Sequence, residues 1–183
     1  EEDWADLQIF FATSAGDVRR NALSDFTNVK SNGKIAMKLP EENTRLVNGR
    51  ICSEDDDVML VTNSGRAIRF PTTEVRVFKG RDSTGVRGIK LQGDDEVVSM
   101  SVIRHFEATP DERAAYLKMR RQMAGADEEG AGDDEGNADA AITPERFEEL
   151  QSAENLILTI TEHGAGKLSS SHDYPVRGPG SMG

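Results

Sequence analysis

Cysteine is almost absent from this 183-residue chain, where Cys52 stands alone. One thiol excludes an internal disulfide and a cysteine-based zinc site, and points to a reducing compartment. Aromatic residues are scarce at 5%, and there are only 6 prolines against 17 glycines. Such a balance argues against a proline-rich linker and for many tight turns. No apolar run approaches the roughly 20 residues that cross a bilayer as a helix. The acidic start, EEDWAD, lacks the basic segment of a signal peptide, so none is expected.

Chemistry-bearing patterns are missing too. His105, His163 and His172 have no carboxylate or cysteine company at metal-ligand spacing. The acidic run at 127–139 does not follow the spacing of a calcium loop. GPGSMG (178–183) matches a dinucleotide-binding glycine pattern, but no strand leads into it and Pro179 stiffens it. GAGK (164–167) has Thr161 where a phosphate loop has its first glycine, and Leu168 where it holds magnesium with Ser or Thr. No nucleophile–base arrangement stands out, and Cys52 reads as a small core residue on a strand. Neither catalytic residues nor a metal site are expected.

What the chain does have is charge, unevenly spread. The formal net charge of −11 argues against a nucleic-acid partner until it is mapped. Residues 106–155 hold 14 Asp/Glu and 5 Lys/Arg, a net of −9. Within 60–91 the balance reverses: seven bases face only Glu74 and Asp82, a net of +5. A near-neutral body thus carries one basic stretch and one acidic insert. Its length allows one large domain or two small ones, enough to bury a real core.

Three segments share one pattern: IFFATSAGDVRRNALSDF (9–26), VMLVTNSGRAIRFPTTEV (58–75) and LILTITEHGAGKLSSSHDY (156–174). Each is an apolar strand, a polar turn ending in glycine, a short basic strand and a polar stretch closed by an apolar residue. Gly16 and Gly65 are 49 residues apart and Gly65 and Gly164 are 99 apart. A repeat of about 49 residues, interrupted once by the 50-residue segment 106–155, explains both spacings. Periods of that length with several short strands point to propeller-like blades, an all-β fold.

Strands are expected near 8–13, 17–21, 34–39, 46–52, 58–63, 66–70, 86–91, 96–104, 156–161 and 166–170. The stretches 33–39 and 88–91 look like one later strand in two repeats. In the insert, Thr109-Pro110 and Thr143-Pro144 start two helices, each with a cap, a proline at the first position and acids in the first turn. The second should run to about Ala153. Residues 125–141 have almost no apolar side chain larger than Ala and are expected not to pack. The organisation expected is β-blades over 1–105, the acidic insertion over 106–155, and a continuation of the blades over 156–183.

The basic positions recur at equivalent places and flank glycine-rich loops, where backbone N–H groups can approach phosphates. Arg66, Arg69, Arg76, Lys79, Arg81, Arg87 and Lys90 are the candidate nucleic-acid-facing charges, assisted by Arg19, Arg20 and Lys167. Strand alternation makes this set an upper bound. The insert reads either as a tethered polyanion that competes with nucleic acid for the basic surface or as an inert spacer.

GRDSTGVRGIKL (80–91) followed by EVVS (96–99) closely resembles the C-terminal domain of the DNA gyrase A subunit. So do FATSAGDVRR (11–20), VMLVTNSGR (58–66) with IRF (68–70), and ILTITE (157–162) with Gly166-Lys167. The likeness covers about 7–105 and 156–177; the insert has no counterpart. It implies a β-pinwheel, a six-bladed propeller-like disc with strands exchanged between neighbouring blades, of which this chain holds about three units. It further implies that double-stranded DNA wraps around a basic rim to support ATP-dependent negative supercoiling. The implied partners are the B subunit, together with the rest of the A subunit, in an A2B2 heterotetramer in the bacterial cytoplasm at the nucleoid, away from membranes. The implied cofactors, ATP and magnesium, belong to other parts of that assembly. The family's QRRGGKG box is not found here. Alternatives are the A-type subunit of topoisomerase IV and a protein-interaction propeller.

Overall fold

The computed structural model describes Trp4, residues 6–125 and 136–183. It divides into two compact units, one running to Ile103 and resuming at Val176–Gly183, the other Arg104–Pro175.

In the first unit, β1 (Gln8–Thr13) and β2 (Asp17–Ala22) form a hairpin, and β3 (Leu46–Cys52) adds to the outer edge of β1. β4 (Asp56–Thr62) and β5 (Ala67–Pro71) form a second hairpin, joined on the β4 side by β8 (Val97–Arg104). Two short strands, β6 (Val77–Phe78) and β7 (Val86–Arg87), follow the second hairpin in sequence but pair with β2 of the first. β6 is parallel to β2, in the register Arg20↔Val77. The same exchange recurs one repeat later, where Val176 bridges Arg69 in parallel and the Arg177 N–H donates to the Arg69 carbonyl at 2.7 Å. Each repeat therefore lends a segment to the hairpin of the repeat before it.

The hairpin turns are alike. In each, a glycine N–H donates to a threonine carbonyl three residues back: Gly16 to Thr13 at 3.0 Å, Gly65 to Thr62 at 3.1 Å, Gly164 to Thr161 at 3.0 Å. The glycines have φ of 84°, 84° and 81°, the left-handed region that other residues enter at a cost. Their surroundings differ. A Cβ at Gly65 would meet nothing, whereas at Gly16 it would lie 2.8 Å from the Ile89 carbonyl oxygen. Gly65→Ala should therefore lose only about 1–2 kcal/mol, the strain of the backbone itself. Gly16→Ala should lose more, because residues 88 and 89, whose N–H groups donate to the Gly16 carbonyl, must shift. Urea midpoints of the two variants test this; equal losses would refute the close approach.

Between the sheets lies one apolar core, with Phe10, Val18, Leu60, Ile68, Phe70, Val97 and Met100 all buried. Burying each such side chain contributes roughly 1.5–3 kcal/mol. Phe10 and Phe70 meet at 6.2 Å between ring centroids and so join the two hairpins. Cys52 belongs to this core, and burial pushes its thiol up to about 11.

The second unit holds α1 (Pro110–Met123), α2 (Pro144–Ala153) and a third hairpin, β9 (Leu156–Ile160) and β10 (Gly166–Ser170). Thr109 closes a capping box with Glu112, and Thr143 accepts from the Arg146 N–H. Tyr116, Leu117 and Leu150 form a small core with Phe106, Ile142 and Phe147 against it. The short 3-10 turn after β10 carries His172 into this core, where its Nε2 lies 2.9 Å from the Leu150 carbonyl and its ring 5.2 Å from Tyr116.

Two expectations need correction. Residues 34–39 form no strand, nor do 88–91 beyond β7. Met37 and Ile89 are buried as an apolar pattern suggests, but 34–39 makes no ladder; its backbone N–H of Lys38 donates to the Ser83 carbonyl of a neighbouring loop at 3.2 Å. Part of the polar stretch 125–141 is also held in place. The Asn137 N–H donates to Asp111 at 2.7 Å and Asp139 pairs with Lys118. Residues 126–135, the centre of that expectation, lie outside the described residues.

Candidate nucleic-acid interface

Strand exchange builds the basic surface. β6 and β7 are both anchored on β2, so the segment between them, 79–85, is held at its two ends. Arg76, Lys79 and Arg81 sit on and beside it, Arg76 and Lys79 exposed and Arg81 half-buried. The Arg76 guanidinium stacks 4.0 Å from the Phe78 ring centroid, which holds an exposed cation in a defined place.

A second basic loop lies alongside. Lys30, Lys34 and Arg81 line one concave surface together with Asn28, Asn32 and Asp82. Arg76, Lys79, Gly80 and Ser83 line a second that shares Asp82 with the first. Arg81 donates to the Ile35 carbonyl at 3.4 Å, and the Lys34 ammonium to the Thr27 carbonyl at 2.8 Å. Five bases thus meet one acid on adjoining open surfaces, an arrangement that attracts phosphates without reading bases. Lys30, Lys34 and Lys38 are absent from the sequence-derived candidates. Their signal was legible in NVKSNGKIAMKL (28–39), which has three lysines and no acid.

The other candidates divide. Arg87 and Lys90 are exposed further along the exchanged segment, and Arg87 sits opposite the half-buried Asp17. Burial raises the Asp17 carboxyl above its ordinary range, and Arg87 opposes the rise. Arg66 is half-buried and donates to Gln92 at 2.9 Å. Lys167 is exposed on β10, in the second unit.

Arg19, Arg20 and Arg69 are buried, which corrects their expected place on a DNA-facing surface. The reason is the exchange: β2 and β5 have both edges occupied and both faces covered, so alternation along them leads nowhere to solvent. Polar partners compensate the charges. Arg69 pairs with Asp57 at 2.7 Å. Arg20 reaches Gln8 at 3.4 Å and Glu54 at 3.9 Å. Burial lowers the Arg19 guanidinium from its usual value, and Asp82 works against that.

Among the described residues, no group of three His, Cys, Asp or Glu could hold a metal ion, and no helix is long and apolar enough to cross a membrane.

Comparison with known proteins agrees with this architecture. The family described as DNA gyrase C-terminal domain, beta-propeller, matches residues 8–53, 56–104 and 155–183. The DNA gyrase A subunit of Granulibacter bethesdensis is 49% identical over 196 residues, covering 100% of this chain and 21% of that protein. Its counterpart in Rickettsia bellii is 41% identical over 185 residues, again covering 100% of this chain and 20% of the relative. The chain thus spans about a fifth of the length of these relatives. Among solved structures, the C-terminal domain of DNA topoisomerase IV gives a TM-score of 0.64 at 17% identity, covering 97% of this chain and 40% of that one. The DNA gyrase A C-terminal domain gives 0.63 at 19%, covering 98% and 43%. These two likenesses are of fold. With the family matched over most of the repeats, the turns equivalent and the exchange repeated, this chain belongs to the beta-propeller family of DNA gyrase C-terminal domains.

Proposed function

We propose that this chain is a DNA-binding and DNA-wrapping part of a gyrase A subunit, bending duplex DNA along the basic surface of its exchanged loops. The observation that carries this reading is the convergence of Arg76, Lys79 and Arg81 with Lys30 and Lys34 on adjoining open surfaces that share the single acid Asp82. Binding of this kind rests on phosphate neutralisation and DNA deformability, so its sequence preference is weak. In this reading the partners are double-stranded DNA and the B subunit, together with the rest of the A subunit, in an A2B2 assembly in the bacterial cytoplasm. The ATP-driven strand passage then belongs to those other parts, and the wrap supplies its handedness.

We also propose that 106–155 is an insertion between two repeats. The family match supports this, since its segments leave out 105–154.

The test is a salt titration of duplex DNA binding. The variant with Arg76, Lys79 and Arg81 all replaced by Ala should bind more weakly across unrelated sequences. Its plot of log affinity against log salt should be flatter by about 2.7, at about 0.9 for each phosphate no longer neutralised. An unchanged slope would show that DNA does not meet this surface.

A further inference from the structure

Beneath the exposed bases lies a buried polar cluster that none of the DNA contacts above accounts for. Arg19 is fully buried on β2. Its Nε donates to Asn21 Oδ1 at 2.8 Å and its Nη1 to the Ser83 carbonyl at 2.7 Å. Asn21, also fully buried, turns its Nδ2 to the Phe78 carbonyl at 2.9 Å, the Gly80 carbonyl at 3.1 Å and Asp25 Oδ2 at 3.3 Å. The Arg19 guanidinium lies 5.2 Å from the centroid of the same Phe78 ring on which Arg76 stacks at 4.0 Å. The Ser83 carbonyl accepts in addition from the Lys38 N–H, so one oxygen ties Arg19 to both basic loops. Three carbonyls of the 78–83 backbone are therefore fixed by two side chains of the preceding repeat.

This cluster is a poor device for stability alone. Arg19 Nη2 is buried without a hydrogen-bond partner, and an apolar side chain of similar volume would spare that cost. What the guanidinium supplies is shape: a planar fork that spans Asn21 and Ser83 together, which the single ammonium of lysine does not reproduce.

We propose that Arg19 and Asn21 are positioning residues for DNA binding, setting the path of the 78–83 backbone so that Arg76, Lys79 and Arg81 face one phosphate track, without touching DNA themselves. The proposal rests on the reading of that surface as the DNA interface. It places a determinant of affinity on the neighbouring repeat, inside the sheet, where charge-based inspection of the surface does not find it.

A double-mutant cycle with the 183-residue chain tests it. Arg19→Lys keeps the net charge, so long-range attraction to DNA is unaltered. It should weaken duplex binding near 0.1 M salt by roughly five- to tenfold for each cation misplaced, and flatten the salt slope by about 0.9 for each phosphate left unneutralised. In the background with Arg76, Lys79 and Arg81 replaced by Ala, the same substitution should change affinity less than about twofold, because the cations it positions are gone. Equal losses in both backgrounds would overturn the proposal, showing that Arg19 meets DNA directly or supports the fold generally. So would full affinity in Arg19→Lys. If the triple Ala variant itself binds like the parent, the surface reading fails first and the proposal falls with it, a result distinguishable from either of the others. Asn21→Ser runs through the same cycle with the same expected pattern, and serves if Arg19→Lys does not fold. Hydrogen exchange gives a second readout: the amides of 79–85 should exchange faster in either variant, and no change there would overturn the positioning role.

Discussion

Asp57→Ala should cost this chain about 3–5 kcal/mol of stability, more than any exposed substitution. The Asp57 carboxylate is fully buried and meets Arg69 Nε at 2.7 Å, with the Arg69 side chain only 3% exposed. Removing Asp57 takes away the carboxylate that meets a buried guanidinium, and losses of that size are usual when one partner of a buried pair is deleted. The pair as a whole is a different matter, because its attraction is offset by taking both ions out of water. Asp57→Ala with Arg69→Met should therefore recover much of the loss. The repeats differ at these positions. The equivalent positions in the first repeat, Gln8 and Arg20, form a weaker contact at 3.4 Å. In the third, 99 residues on, they are Leu156 and Leu168. Both leucines are exposed, at 53% and 58%, so the third hairpin forms with no buried pair at these positions. Urea unfolding of the single and double variants decides: a double variant no more stable than Asp57→Ala would show that the pair supports the fold beyond its mutual compensation.

The ion pair also marks where reading the sequence succeeds and where it stops. Local features were legible because their causes are local. Gly16, Gly65 and Gly164 announce three equivalent turns, since only a residue without a Cβ enters that φ freely. Thr109-Pro110 and Thr143-Pro144 announce the two helices through caps and a fixed φ. The 49- and 99-residue spacings announce the repeat, and the third hairpin follows the insert in register with them.

The exchanged segments were not legible in the residues taken alone. β6 is two residues long and pairs with a strand 57 residues earlier, counted from Arg20 to Val77. A two-residue strand has no periodicity to detect, and parallel pairing at that distance leaves no local mark. The bases on the strands that receive those segments are misplaced with them. Arg19, Arg20 and Arg69 look like surface bases by composition and become interior ones because a returning segment closes the open edge of their strands. Lys34 and Lys38, by contrast, sit in the stretch 34–39, which its apolar pattern presents as a strand. The structure leaves that stretch as a loop beside Arg81 and Ser83, which is what brings its lysines to the candidate interface.

Tyr116→Ala should cost the second unit about 3–5 kcal/mol, the usual loss for a large buried ring. Tyr116 is 1% exposed, its ring lies 5.0 Å from Phe147 and 5.2 Å from His172, and burial pushes its hydroxyl up to about 12. The phenol is therefore neutral at any ordinary pH, and the substitution alters packing without altering charge. Circular dichroism should show the helical signal of α1 and α2 melting at a lower temperature than in the parent. That separation of packing from charge is useful, because under the proposed DNA-binding role residues 106–155 have two ways to act. They carry −9 of the chain's −11, and six of their acids, at 127–129 and 133–135, are concentrated without a base among them. A tethered polyanion competes for a basic surface to an extent set by screening, whose length is about 30 Å at 0.01 M salt and about 8 Å at physiological salt. If charge is what matters, replacing those six acids by Asn and Gln should tighten duplex binding at low salt, with the gain shrinking as salt rises. Tyr116→Ala should then leave low-salt affinity within about twofold, since every charge remains on its tether. If folding of the helical pair is what matters, Tyr116→Ala should change affinity and neutralisation should not. Unchanged affinity in both variants at low salt would leave the insert as a spacer between repeats.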